Sequence, residues 1–193
     1  MRLAATLLFL LAVLSAAAQL SPSEKPNGIV LVAKPSLTDP NFRETVVLVT
    51  QAPDASTVGV ILNRPTSERH KKTGEAIYSG GPVMPKVRLA IFGADRMPAA
   101  AAFHVSQGIW LSMHPGNIDA LPSRPGQRLR FFTGFAGWAP GQLQRELELD
   151  FWFVLPVTED LLFRADTKGL WKELMQKARG SRAEGPNGDR LRS

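Results

Sequence analysis

The sequence has no cysteine, which excludes a disulfide framework, a thiolate metal site and a cysteine nucleophile. Histidine is almost as scarce. His70, His104 and His114 are the only three, and their spacings of 34 and 10 residues match neither the i, i+4 relation nor the close loop spacing of a zinc motif. Each is read as a surface or locally satisfied imidazole, and no metal site is expected. No G-x-x-x-x-G-K-[ST] or G-x-G-x-x-G pattern occurs, so a phosphate loop and a dinucleotide fingerprint are unsupported and no cofactor is expected. A chain of 193 residues and 44% apolar composition remains, enough for one globular domain.

Only the N-terminus carries an apolar run longer than a strand. Met1-Arg2 is a short positive start, residues 3–14 are apolar apart from Thr6, and Ser15-Ala16-Ala17-Ala18 supplies small residues of the A-x-A kind. The run is well short of the ~20 residues a membrane-crossing helix needs. Residues 1–18 are therefore read as a secretory signal peptide, with no transmembrane anchor after processing and an exported, periplasmic or secreted product. Residues 19–27 form a polar leader, residues 28–178 the domain and residues 179–193 a disordered basic tail. The net charge of +6 is concentrated toward the C-terminus, where over residues 176–193 Lys177, Arg179, Arg182, Arg190 and Arg192 face only Glu184 and Asp189. Its arginines are not interleaved with aromatic residues, so no specific nucleic-acid partner is expected.

Apolar, β-branched runs at 29–33, 45–50 and 58–62 read as strands, the last two joined as an antiparallel hairpin through Pro53 and Asp54. Between the first two, Pro35, Asp39, Pro40 and Asn41 spell an ordered turn, with Phe42 a plug into the core. Residues 64–76 are charged and read as an exposed loop. Further strands are expected at 77–78, 87–92, 103–105, 108–111, 128–132 and 151–155, the fifth ending before Gly134. Helices are expected over 139–149 and, capped by Asp166, through Leu170, Trp171, Leu174 and Ala178, with another turn at 158–163. Strands dominate the first two thirds and helices the last, which predicts an α+β single domain with a bent, mainly antiparallel sheet and flanking helices; the alternative is a three-layer α/β/α arrangement with a mixed sheet.

Chemistry-bearing candidates are few. Ser79-Gly80-Gly81-Pro82 places a serine beside flexible backbone, but it lacks the glycine two positions earlier and Pro82 removes an amide, so the glycines read as backbone-shaping residues. Residues 135–142 lead into a helix whose free amides could receive an anion, against the plainer reading of Trp138 over a glycine turn. Asn63-Arg64, at a strand end, presents a guanidinium to a carboxylate or phosphate, or else to an internal partner.

Taken in order, these segments resemble the AlgH/YqgE family. The likeness runs through Gly28 to Ala33, the pattern around Pro35-x-Leu37-x-Asp39-Pro40-Asn41-Phe42-Arg43, then Gly59-Val60-Ile61-Leu62-Asn63-Arg64-Pro65 and Gly80-Gly81-Pro82-Val83. It is strongest at Gly134-Phe135-Ala136-Gly137-Trp138-Ala139-Pro140-Gly141-Gln142-Leu143-x-x-Glu146-Leu147. The resemblance implies one compact domain with a bent, mainly antiparallel sheet, and no agreed activity or catalytic residues. Two departures stand out: family histidines are replaced here by Ala52 and Phe92. Members are commonly cytoplasmic, which is the alternative to export. The expected function is a non-enzymatic binding or accessory and regulatory domain for a small anion or a protein partner. Its candidate ligand-binding residues are Asp39, Asn63, Arg64, Gly80, Gly81, Trp138 and Gln142. The alternative is a hydrolase or transferase acting on a small anionic metabolite, with Asp39 as base and Arg64 as anion clamp in one shared pocket.

Overall fold

A computed structural model describes residues 25–51, 57–121 and 128–183. The 1–18 leader, the turn residues Ala52, Pro53 and Asp54, and the tail beyond residue 183 lie outside the described residues. Ten strands and four helices are described: β1 (Ile29–Ala33), β2 (Val46–Gln51), β3 (Thr57–Ile61), β4 (Pro65–Arg69), β5 (Ala76–Ser79), β6 (Val83–Gly93), β7 (Phe103–Ser106), β8 (Ile109–Ser112), α1 (Pro115–Asp119), β9 (Leu129–Trp138), α2 (Gln142–Glu148), β10 (Trp152–Pro156), α3 (Glu159–Phe163) and α4 (Leu170–Ala183). The sheet order is β10-β1-β2-β3-β9-β6-β8-β7, with β5 also on β9 and β4 on β5. Among these pairs only β5 with β9 is parallel. The α+β fold with a bent, mainly antiparallel sheet is the one adopted, rather than the mixed three-layer alternative.

β1 and β2 are unbroken apolar runs because both their faces are covered. Val30, Val32, Val46 and Leu48 point into the larger core, which α3 and α4 close with Leu161, Leu162, Leu170 and Leu174. Leu31, Ala33, Val47 and Val49 point the other way, onto Trp138, Trp152 and the apolar stripe Leu143 and Leu147 of α2. A third cluster, built on Trp110, Phe92 and Phe131, backs the β6-β8-β9 part of the sheet.

β9 makes the bend. Its last residues pair with β3, Gly137 opposite Val58, while residues 129–135 pair with β6 and, on the other edge, with β5. At the turning point Gly134 has φ +69°, and a side chain there would meet the Gly81 carbonyl at 2.5 Å. The far end is tied back to the start of the chain, because the Asn27 and Gly28 amides donate to the His104 and Val105 carbonyls of β7, both at 3.0 Å.

Five features differ from expectation. Residues 64–76 are not simply a loop: Pro65–Arg69 is a strand, held by β5 despite its polar sequence. The strand expected over 128–132 continues through Gly134 to Trp138, because Gly134 turns the strand without ending it. Helix α2 starts three residues later than expected, after Gly141 with φ +75°. Short α1 was not foreseen, and His114, one of the three imidazoles, is its N-cap, with Nδ1 accepting from the Gly116 amide at 3.1 Å. Helix α4 also continues to Ala183, five residues into the segment read as a tail.

Candidate functional site

The site is built around the loop that joins β1 to β2. Its backbone closes on itself first: Phe42 and Arg43 amides donate to the Asp39 carbonyl at 3.0 and 2.8 Å, and the Asp39 carboxylate accepts from the Asn41 amide at 2.7 Å. Thr45 Oγ1 donates to the Phe42 carbonyl at 2.6 Å. The residues after β3 then fasten this turn to the sheet. Asn63 works as a bracket, its Oδ1 accepting from the Val46 amide and its Nδ2 donating to the Glu44 carbonyl, both at 2.9 Å. Arg64 donates to the carbonyls of Asn41 at 2.6 Å and Arg43 at 3.3 Å. Burial and the like charge of Arg43 hold the Arg64 guanidinium below its ordinary pKa, and Asp39 acts in the opposite sense.

Phe42 is the plug the sequence suggested. Its ring lies 5.9 Å from Trp138 and 6.2 Å from Trp152, centroid to centroid. Both indoles donate their N–H to one oxygen of Glu146, each at 2.9 Å, and the other oxygen accepts from the Gln142 amide group at 3.0 Å. Gln142 turns its own oxygen to the Ala139 amide at 3.2 Å. One amide of the turn that leads into α2 is therefore answered from within.

Gly80 and Gly81 sit where the chain crosses β9. A Cβ on Gly80 would lie 2.3 Å from the Gly134 carbonyl oxygen, and one on Gly81, where φ is +152°, 2.4 Å from the Phe135 backbone. Only residues without a side chain permit that approach. The neighbouring Ser79 amide donates to the Arg64 carbonyl at 2.9 Å, which ties this crossing to the loop. All seven candidate residues thus belong to one packed and hydrogen-bonded network. Asn63, Arg64 and Gln142 act in it as braces, with Trp138 as packing and the two glycines as clearance. Asp39 and Arg64 share the turn, but neither lines the cleft beside it.

That cleft holds about 240 Å³ and is walled by Lys34, Leu37, Thr38, Arg43, Glu44 and Trp171. Lys34 is buried at 6% exposure, paired with Asp150 and 4.4 Å from the centre of the Phe153 ring. Trp171 is fixed by its indole N–H, which donates to the Ala33 carbonyl at 2.7 Å. Arg43 and Glu44 are exposed, and among the described residues neither side chain has a hydrogen bond or ion pair. Sequence reasoning missed both, along with Trp171 and Glu146. Arg43 closes the pattern that begins at Pro35 but was not singled out from it, Glu44 lies just beyond that pattern, and Glu146 had a signal in its i, i+4 relation to Gln142.

Two other titratable groups, Arg130 and His70, are held away from the cleft. Buried Arg130 donates to the Leu62 and Arg164 carbonyls, with its guanidinium carbon 4.4 Å from the centre of the Tyr78 ring. Burial lowers its pKa, with Tyr78 and Glu75 opposing. His70 stacks on Phe131 at 3.9 Å, and burial, followed by Arg88 and Lys72, lowers its pKa. No group of three or more histidine, aspartate or glutamate side chains suited to a metal is found among the described residues. Nor is any of their helices long and apolar enough to cross a membrane.

Residues 30–183 match the AlgH-like family. A UPF0301 protein of Thermobifida fusca is 33% identical over 175 residues, covering 81% of this chain and 88% of its own length. One from Streptomyces coelicolor is 32% identical over 173 residues, with the same coverage of both chains. Among solved structures, a Corynebacterium diphtheriae protein superimposes with a TM-score of 0.65 at 24% identity, covering 81% of this chain and 89% of that one. The AlgH protein of Pseudomonas aeruginosa gives 0.62 at 22% identity, covering 79% and 86%. These two likenesses speak to the fold.

Proposed function

The chain belongs to the AlgH-like family, and we propose that it is a non-enzymatic binding or accessory domain that takes a small anion in the cleft beside the β1–β2 loop, with Arg43 as the principal contact. A single contrast carries the reading. Arg64, Asn63, Gln142 and Glu146 direct their polar atoms at the protein's own backbone and indoles, whereas Arg43 faces the cleft with its donors uncommitted among the described residues. A guanidinium in that position offers a planar, two-pronged donor to a carboxylate or phosphate.

The hydrolase or transferase alternative asks Asp39 and Arg64 to reach a substrate together. One Asp39 oxygen accepts from the Asn41 amide, and Arg64 is held by the carbonyls of Asn41, Pro40 and Arg43. Freeing them would dismantle the loop that shapes the cleft, which is why binding is the preferred reading. Export is part of the proposal, supported by the charge, apolar run and small residues of positions 1–18.

The test is a titration of the ¹⁵N-labelled domain with acetate and with inorganic phosphate. Amide shifts at Thr38, Arg43 and Glu44 with about millimolar affinity are expected, as one charge-assisted contact in an open cleft would give. Arg43→Ala should abolish them. Unmoved amides at saturating anion, or release of a product from a phosphate or carboxylate ester by the pure protein, would overturn the proposal. For export, the chain recovered from its source cells should begin at Gln19.

A further inference from the structure

The cleft carries more information than one cation. Arg43 and Glu44 are adjacent, both line it, and neither is neutralised by another side chain among the described residues. The other cation on the wall, Lys34, is already balanced by Asp150. The uncommitted charges on the wall are therefore one positive and one negative. A bare anion placed on Arg43 meets the Glu44 carboxylate at close range, and a bare cation on Glu44 meets the guanidinium. A ligand that carries both charges a few bonds apart satisfies each and is repelled by neither.

The backbone fixes this arrangement. Glu44 has φ +57°, in the left-handed region that residues with a Cβ visit rarely. Asn63 holds it there by gripping the Glu44 carbonyl on one side and the Val46 amide on the other. Backbone in such a conformation costs free energy and persists where its surroundings over-determine it, as they do at ligand clamps. Size narrows the ligand further. At about 240 Å³ the space falls below the ~300 Å³ lower bound of pockets for drug-sized molecules. It has room for an amino acid. Leu37 and the anchored Trp171 ring supply an apolar wall for a side chain.

Resting on the anion-binding reading, we infer that the cleft is a site for a free α-amino acid or the like small zwitterion. The ligand carboxylate lies on Arg43, its ammonium on Glu44, and its side chain against Leu37 and Trp171. This deepens the proposed function by adding a required positive charge on the ligand.

The experiment titrates the ¹⁵N-labelled domain with L-alanine and L-phenylalanine, with their N-acetyl forms, with their amides and with inorganic phosphate. The Trp171 indole resonance and the Thr38, Arg43 and Glu44 amides report binding. The free amino acids should bind at least tenfold more tightly than either blocked form and than phosphate. Glu44→Gln should weaken the free amino acid and tighten its N-acetyl form, so that the two bind alike. Arg43→Gln should abolish binding of both, with the remaining spectrum of each variant showing an intact fold. If N-acetyl forms or phosphate bind as tightly as the free amino acids, the zwitterion inference fails while anion binding stands. If the amides bind best, or no probe moves these resonances, both fail.

Discussion

The loop between β1 and β2 has two sides that treat polar atoms in opposite ways. On the side facing Trp138 and Trp152, the polar groups around it are answered: two indoles by Glu146, the turn carbonyls by Arg64, the strand ends by Asn63. On the side facing the cleft, Arg43 and Glu44 stand unanswered by side chains among the described residues. Two arginines of the same neighbourhood illustrate the difference, since Arg64 is a brace and Arg43 is not. Residues on the first side should therefore govern stability, and residues on the second should govern binding.

The comparison breaks most visibly at Trp138, which is buried at 4% exposure and packs on Phe42 and Trp152. Trp138→Ala should cost about 3–5 kcal/mol in urea unfolding, and a loss below 1 would remove the packing side of the argument. Glu146→Gln keeps the shape but replaces one acceptor oxygen by a donor facing its partners. A loss of about 1.5–3 kcal/mol is expected, the range for hydrogen bonds to a charged group. Arg64→Ala should cost about 1–2 kcal/mol, and Arg64→Lys should recover little of it, because an ammonium lacks the fork that spans two carbonyls. Arg43→Ala and Glu44→Gln should change stability by no more than about 0.5 kcal/mol, while the first removes the ligand shifts and the second removes the preference for free over N-acetylated amino acids. Were Arg43→Ala to destabilise as much as Arg64→Ala, the two sides would be one.

The smallest effect is expected at His70, outside the loop. Its folded pKa lies below its unfolded value near 6.5, so the unfolded chain binds the proton first as pH falls. Stability should therefore decline as pH drops through about 6.5 toward the folded pKa, and His70→Gln should flatten that decline in melting curves taken between pH 7.5 and 5.5.

Legibility in the sequence followed burial. β1 and β2 carry apolar runs because core side chains cover both their faces, and the β2–β3 hairpin joins two runs that are neighbours in sequence. β4 was hidden, since Pro-Thr-Ser-Glu-Arg has no apolar alternation and becomes a strand only through β5. Gly134 read as the end of a strand, because the contact that makes it a bend comes from Gly81, far away in sequence. The seven candidate residues were found as distinctive, and they do converge on one network. Their work as braces depends on which carbonyls they meet, which spacing does not encode. Arg43 and Glu44 were overlooked for the complementary reason: they became notable only once no partner came near.

The seam made by β9 bears on how the chain is synthesised. Until residues 129–138 leave the ribosome, β3 and β6 each lack the strand that belongs between them, and two sheet fragments carry open edges. Exposed edges of this kind template pairing with other chains. A nascent chain that stalls just before β9 is thus the form of this molecule most prone to aggregate, and a holding chaperone would act on it at that length.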